Sequence, residues 1–308
     1  MNDVRYCALC PRKCGADRKN GVGYCGAGDD IEVSKIMLHL WEEPPVSGYG
    51  TPEEREKSGR GSGAVFFTHC PLGCVYCQNS KISRTSSKGI AYTPTALADE
   101  MLKLEERGAY NINLVSPTQY TDKLIEAVKI ARSGGLTLPI VWNTGGYELP
   151  ETIRSLSGTV DVYLTDLKYH SSVLSSLLSS APDYTPTALG ALAEMYSSVG
   201  KATLDGEGMI KKGVIVRHLV LPSQRDDSIA VLRDIANTVP ADGILLSLMA
   251  QYTPDFLPPP DGSDEFKSIR RKITTFEYNS VCDEARRIGF DGFMQDRSSA
   301  TSRFTPDF

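Results

Sequence analysis

From residue 64 onward, short β-branched or apolar runs alternate with longer stretches of helical periodicity. That alternation limits the fold more than any other feature, because it demands strands connected through helices. The runs predict strands at Ala64–Thr68, Ile112–Ser116, Leu138–Trp142, Val160–Thr165, Val214–Leu221 and Ile244–Leu248. Between and after them, helices are expected over 94–107, 120–133, 150–156, 185–199, 226–237 and 265–287. Thr93-Pro94, Thr185-Pro186 and Asp226-Asp227 supply caps or first-turn residues, and Gly108 stands where a left-handed helix end belongs. Strands joined this way form a parallel sheet with right-handed crossovers. A complete eightfold barrel needs about 250 residues. Six units therefore predict an α/β fold, a partial (β/α)6 barrel of TIM type, with its chemistry at the C-terminal strand ends.

Ahead of the barrel two zones are expected. Residues 1–30 carry four cysteines and little hydrophobic pattern, so they read as a small metal-stapled extension. Residues 31–63 offer one apolar stretch, Ile31–Leu40, and then a Pro/Gly/Ser-rich segment ending Gly59-Arg60-Gly61-Ser62-Gly63; they read as one or two strands and a flexible connection. The division is thus a Cys-rich extension at 1–63 and a barrel at 64–308. Ser-rich 171–180 has a short helical stripe, 253–263 is a loop, and Phe276, Val281, Ala285 and Ile288 are expected in the core.

The chain has 308 residues, 41% hydrophobic and 23% charged, with a net charge of −5. That balance, without any basic run interleaved with aromatics, speaks against nucleic acid and anionic membranes as partners. No secretory signal and no apolar run of bilayer length is present, so a cytoplasmic location is expected. Of the eight cysteines, only Cys282 lies beyond residue 77, within a helical pattern where a thiol packs as a small hydrophobe. In a reducing compartment the other, tightly clustered cysteines favour metal ligation over disulfides.

Cys70, Cys74 and Cys77 are spaced C-x3-C-x2-C directly after the first barrel strand. Three thiolates so close can hold one soft-metal centre. A closed site wants four ligands; three leave a position open to a substrate or cofactor. The competing reading is zinc completed by His69 or by an N-terminal cysteine.

With its position after strand one, the spacing resembles the signature of radical S-adenosylmethionine (SAM) enzymes. The resemblance implies a [4Fe-4S] cluster on Cys70, Cys74 and Cys77. Its open iron binds SAM, which is cleaved reductively to a 5′-deoxyadenosyl radical that abstracts hydrogen from a substrate. It also implies a low-potential electron donor of flavodoxin or ferredoxin type. At the strand ends it assigns cofactor contacts to Tyr76, Ser116, Thr118, Asn143, Asp166, Lys168, Arg217 and His218. Asp166 and Lys168 address the methionine moiety of SAM, Arg217 its ribose or carboxylate. Where family members often carry Gly-Gly-Glu, this chain has Ser116-Pro117-Thr118 and no acid. Gln251 and Tyr252 fall on the substrate side. Cys7-x-x-Cys10-Pro11-Arg12-x-Cys14 and Glu42-Glu43-Pro44-Pro45 are similar to a subgroup of homologues of pyruvate formate-lyase activating enzyme.

Cys7, Cys10, Cys14 and Cys25 form a second set, suited to a tetrathiolate site for zinc, rubredoxin-like iron or a second Fe–S cluster. The expectation is an oxidoreductase of activating-enzyme type. Its substrate at the barrel mouth is a glycyl-radical enzyme, a small molecule or a peptide. A non-catalytic electron-transfer or metal-binding protein is the rival from another class.

Overall fold

A computed structural model describes residues 6–84, 86–259, 264–296 and 306. The expected 253–263 loop lies partly outside the described residues, as does most of the chain beyond 296. The strands are β1 (Ile31–His39), β2 (Gly61–Phe67), β3 (Ile90–Tyr92), β4 (Ala109–Val115), β5 (Ile140–Thr144), β6 (Val162–Asp166), β7 (Thr203–Leu204), β8 (Ile210–Leu219), β9 (Leu245–Met249) and β10 (Gly292–Met294). The helices are α1 (Pro44–Ser47), α2 (Pro52–Ser58), α3 (Ser80–Ser83), α4 (Pro94–Glu106), α5 (Thr121–Ser133), α6 (Pro150–Ser155), α7 (Ser172–Ser179), α8 (Tyr184–Val199), α9 (Arg225–Thr238) and α10 (Thr275–Ile288).

One sheet runs β10-β9-β8-β6-β5-β4-β2-β1-β3. The six expected barrel strands are all present and parallel to their neighbours, from β2 to β9. Sequence reading missed β10, a short parallel strand added to β9, and the antiparallel β3 and β7. Each is only two or three residues long, too short to show a period of two.

The boundary at 63/64 does not hold as a structural division. β1 pairs antiparallel with β2 from His39–Ser62 to Val33–Phe67, so residues 31–39 belong to the main sheet. Nor is 61–63 a flexible connection, for it opens β2, whose seven residues are all buried. Glycine is required there by close approach. A Cβ on Gly63 would stand 2.7 Å from the Asn111 carbonyl oxygen.

Helices cover one face of the sheet. Leu97 and Met101 of α4, Leu124 of α5, Leu192 of α8, Leu232 of α9 and Val281 of α10 share one core with Val65, Phe67, Leu114 and Trp142. Thr93 caps α4 by accepting from Ala96 N–H, and Gly108 follows at φ 89°. Helix starts differ from expectation by one residue at α5, α8 and α9, and by ten at α10. α8 begins at Tyr184, one residue ahead of the supposed Thr185 cap. α10 begins at Thr275, not 265, because Thr274 and Glu277 form a capping box there. Phe276 consequently sits 67% exposed at the first turn instead of in the core. Cys282, Val281 and Ala285 are buried as expected.

The other face is the barrel interior. At its N-terminal end, Val46 of α1 packs with Val141, Val162, Leu164 and Ile215, and Asn111 Nδ2 donates to the Val46 carbonyl at 2.7 Å. Residues 41–47 thereby plug the bottom of the barrel and turn the interior above them into a floored cavity.

Candidate active site

β2 ends at Phe67, and His69 turns the chain in a left-handed conformation (φ 71°). The loop after it brings Cys70, Cys74 and Cys77 to the wall of a cavity of about 320 Å3. Within that loop, Leu72 N–H donates to Cys70 Sγ at 3.4 Å and Cys77 N–H to the Cys74 carbonyl at 3.3 Å. From α7, the Ser179 hydroxyl donates to Cys74 Sγ at 2.9 Å. Ser179 in turn accepts from Tyr169, which pairs with Tyr76, so a chain of hydroxyls backs one thiol. Burial pushes the Cys70 and Cys74 thiols up, and the neighbouring sulfurs push the same way. Such thiols ionise readily only when a metal takes the proton's place.

His69 does not complete the set. It is buried, with Nδ1 at 3.2 Å from the Arg84 carbonyl oxygen and Nε2 facing Glu32 at 3.6 Å. Three cysteines thus share the cavity wall, and no fourth Cys lines it among the described residues.

Of the residues assigned to the cofactor, Tyr76, Ser116, Asn143, Asp166, Lys168 and Arg217 line this cavity. Asp166 and Lys168 form an ion pair at the end of β6, both less than a quarter exposed. Burial alone would depress the Lys168 ammonium; Asp166 and the Cys74 sulfur overcome that and hold it protonated. Gln251 reaches the cavity between Gln78 and Gln295.

Three of the assigned residues do not line this cavity. Thr118 sits behind the cavity wall, because the turn after β4 aims its hydroxyl at Glu148, 2.6 Å away. His218 is on the other side of β8 from Arg217, as strand alternation requires. Its Nδ1 is 2.6 Å from the Leu167 carbonyl oxygen, so Nδ1 carries the proton, and burial holds the ring neutral. Tyr252 is buried and spends its hydroxyl on the Ile269 carbonyl.

Arg217 is where expected, but its charge is already matched. Its Nε donates to Glu43 Oε1 at 2.7 Å, and its Nη2 reaches both Glu43 and Glu42. Glu42 also accepts from Asn113 and Asn143, at 2.9 and 3.1 Å. The guanidinium is therefore held by two of this chain's own carboxylates and is not free to anchor another. Sequence reading noted Glu42-Glu43-Pro44-Pro45 without placing it. The prolines that start α1 were the available signal, since they fix where the two carboxylates enter.

Glu148 was also missed. It is fully buried and accepts at Oε1 from Thr118, Thr144 and Trp142, while Oε2 has no partner. Burial raises its carboxyl to about 7 against these three donors.

The N-terminal cysteines are brought together elsewhere. Cys7, Cys10, Cys14 and Cys25 line one small cavity whose wall includes Pro71, the residue after Cys70. Among the described residues no three His, Cys, Asp or Glu converge on a single point as an ion's ligands do.

Residues 64–178 match the family model described as the radical SAM superfamily. The match covers little more than a third of the chain. The same architecture recurs in a radical SAM methyltransferase from Sphaerobacter thermophilus, at a TM-score of 0.52 and 16% identity over 77% of this chain. This chain spans 65% of that protein's length. An uncharacterized protein of Methanocaldococcus jannaschii is 27% identical over 297 residues, 94% of this chain and 77% of the relative. A domain of a pyruvate-formate lyase-activating enzyme from Bacteroides vulgatus aligns at a TM-score of 0.42 and 10% identity, over 60% of this chain and 99% of that domain, and nothing rests on it.

For members of that superfamily a [4Fe-4S] cluster and SAM are implied, and the residues present here fit both. Three thiols open on a cavity within the range of small-molecule sites. Next to them, the Asp166–Lys168 pair offers one acceptor and one donor of charge, matched to an amino-acid moiety. No helix among the described residues is long and apolar enough to cross a membrane.

Proposed function

We propose that this protein is a SAM-cleaving oxidoreductase. The observation that carries the reading is the three-cysteine loop opening on a cavity that also holds Asp166 and Lys168. When bound, the cluster and SAM supply a 5′-deoxyadenosyl radical that takes a hydrogen atom from the substrate. Cys70, Cys74 and Cys77 hold the cluster. Asp166 and Lys168 orient the methionine end of SAM, with Ser116 and Asn143 beside them, while Tyr76 closes the wall near the adenine. The floor of residues 41–47 keeps solvent out from below. A low-potential flavodoxin or ferredoxin supplies the electron. The N-terminal cysteines hold a second metal centre.

For the substrate, resemblance favours a backbone glycine of a glycyl-radical enzyme. One observation favours a second reading, a small molecule or peptide. The cavity floor is built of polar groups, Glu42, Glu43, Asn143 and Arg217, which would recognise hydrogen-bonding groups of an enclosed ligand. The non-catalytic alternative has no use for Asp166, Lys168 or this floor.

The test is anaerobic reconstitution with iron and sulfide, then SAM and a strong reductant, with 5′-deoxyadenosine measured. Product above a Cys77→Ala control is expected. Its absence, with the cluster shown to be present, overturns the reading. Glycyl-radical signals from a co-incubated candidate protein separate the two substrate classes.

A further inference from the structure

The cavity inside the barrel holds one more negative charge than positive. Among the described residues its charged lining is Glu42, Glu43 and Asp166 against Lys168 and Arg217. His39 also lines it, but burial keeps that imidazole neutral. Asp166 and Lys168 offset each other in their ion pair. Arg217 is left facing two carboxylates, all three side chains largely buried. Burial alone would lower the guanidinium; Glu42 and Glu43 overcome that and hold it charged. Burial alone would likewise raise Glu43, and Arg217 keeps it a carboxylate.

The surplus falls on Glu42. Glu43 takes Arg217 on both of its oxygens, at 2.7 and 2.6 Å. Glu42 shares only Nη2 of that guanidinium. Its other partners are the uncharged amides of Asn113 and Asn143, both donating to Oε1. A carboxylate offers about four acceptor sites, and these three donors leave one open. Asn113 adds a second unmet acceptor. It is fully buried, and while Glu42 holds its Nδ2, its Oδ1 has no partner. Asn111, two residues before it on β4, reaches Val46 of the floor, and Val115, two residues after it, lines the cavity. Strand alternation puts Asn113 on the same interior face. The floor is thus short of both a positive charge and a donor.

An uncompensated buried charge is costly, and proteins keep such local conflicts at functional sites. SAM does not resolve this one. In the reading above, its ammonium and carboxylate meet Asp166 and Lys168, and its sulfonium offsets the anionic, thiolate-held cluster. The lining beyond the floor is apolar. Val115, Leu219 and Met249 follow Asn113, Arg217 and Ser247 by two positions on their strands, and all three line the cavity. A hydrocarbon chain fits beside them.

We infer that the substrate carries an organic cation, an ammonium or a guanidinium on an aliphatic chain, and that this cation seats on Glu42 at the cavity floor. The inference deepens the small-molecule or peptide reading and rests on it. One such cation brings several N–H donors, enough for the open site of Glu42 and for Asn113 Oδ1. Glu42 is the residue that sets the preference for charge, with Arg217 and the two asparagines holding it in place.

The test reads binding to the full-length protein, reconstituted and with SAM present, by isothermal titration calorimetry. Pentylamine is compared with pentanol, and N-acetyl-lysine amide with N-acetyl-norleucine amide. Each pair keeps the carbon chain and drops the cation. The first presents it on a small molecule, the second on a peptide side chain. A preference for the cation of at least about tenfold is expected in one pair or both, and the pair that shows it identifies the source. Glu42→Gln is expected to reduce that preference to about twofold or less, while Glu42→Asp, which keeps the charge, retains most of it. The cluster's visible absorption and the circular dichroism show that each variant is folded. No binding of either cation by the native protein, equal affinity within both pairs, or a preference that survives Glu42→Gln overturns the inference. 5′-Deoxyadenosine is measured alongside. SAM cleavage without the preference overturns this inference alone; no cleavage, with the cluster present, overturns the reading beneath it.

Discussion

Replacing Glu148 with Gln isolates one buried charge. The carboxyl is wholly enclosed, and three donors, Thr118, Thr144 and Trp142, all converge on Oε1. Burial raises it from an ordinary 4.5 to about 7. The native state thus holds this proton more tightly than the unfolded chain. The associated stability is fully present below pH 4.5 and drains away as the pH rises to about 7. A shift of that size corresponds to about 3 kcal/mol in total, of which roughly 2–3 kcal/mol is lost between pH 5 and pH 8.5. Gln keeps an acceptor for the same three donors and cannot ionise. It leaves an amide N–H where Oε2 stands without a partner, at a cost of about 1–3 kcal/mol. Glu148→Gln is therefore expected to be less stable than the native protein at pH 5, with the gap closing or reversing at pH 8.5. Thermal melts of both proteins at the two pH values read this as a change in the Tm difference on the order of 5 °C. A Tm difference that is the same at both pH values would refute the argument, because the buried carboxyl would then not titrate between them.

Further expectations concern the cavity and the core. Arg217→Met leaves Glu42 and Glu43 side by side without their cation and should cost about 3–5 kcal/mol in denaturant unfolding. An unchanged midpoint would mean that the two carboxylates are not both ionised. Lys168→Met removes the partner of Asp166, and SAM affinity by equilibrium dialysis should fall at least about tenfold; undiminished binding would remove Lys168 from the SAM site. Leu97→Ala, at a fully buried position of α4, should cost about 2–5 kcal/mol, while Phe276→Ser should stay within about 0.5 kcal/mol. Comparable losses from both would contradict the exposure of Phe276.

Periodicity and spacing determined a good deal by themselves. Six parallel strands, their helices and the cysteine loop after the first strand follow from local patterns, since apolar alternation and ligand spacing are written within a few residues. The Asp166–Lys168 pair was legible for the same reason, as two residues on one face of a strand end. What the sequence left open depends on chain segments far apart. Arg217 reads as a free cation until Glu42 and Glu43 arrive from more than 170 positions away. Thr118 reads as a cofactor contact until the turn after β4 aims it at Glu148, and Glu148 is unremarkable until burial raises its carboxyl. The spacing of the N-terminal cysteines reads as a ligand set, but only tertiary packing places them behind Pro71, with Arg12 on the Pro71 carbonyl. Local pattern sets which elements form and which ligands share a loop. The charge state and direction of a side chain are set by whatever distant groups enclose it, and that is decided only when the chain closes on itself.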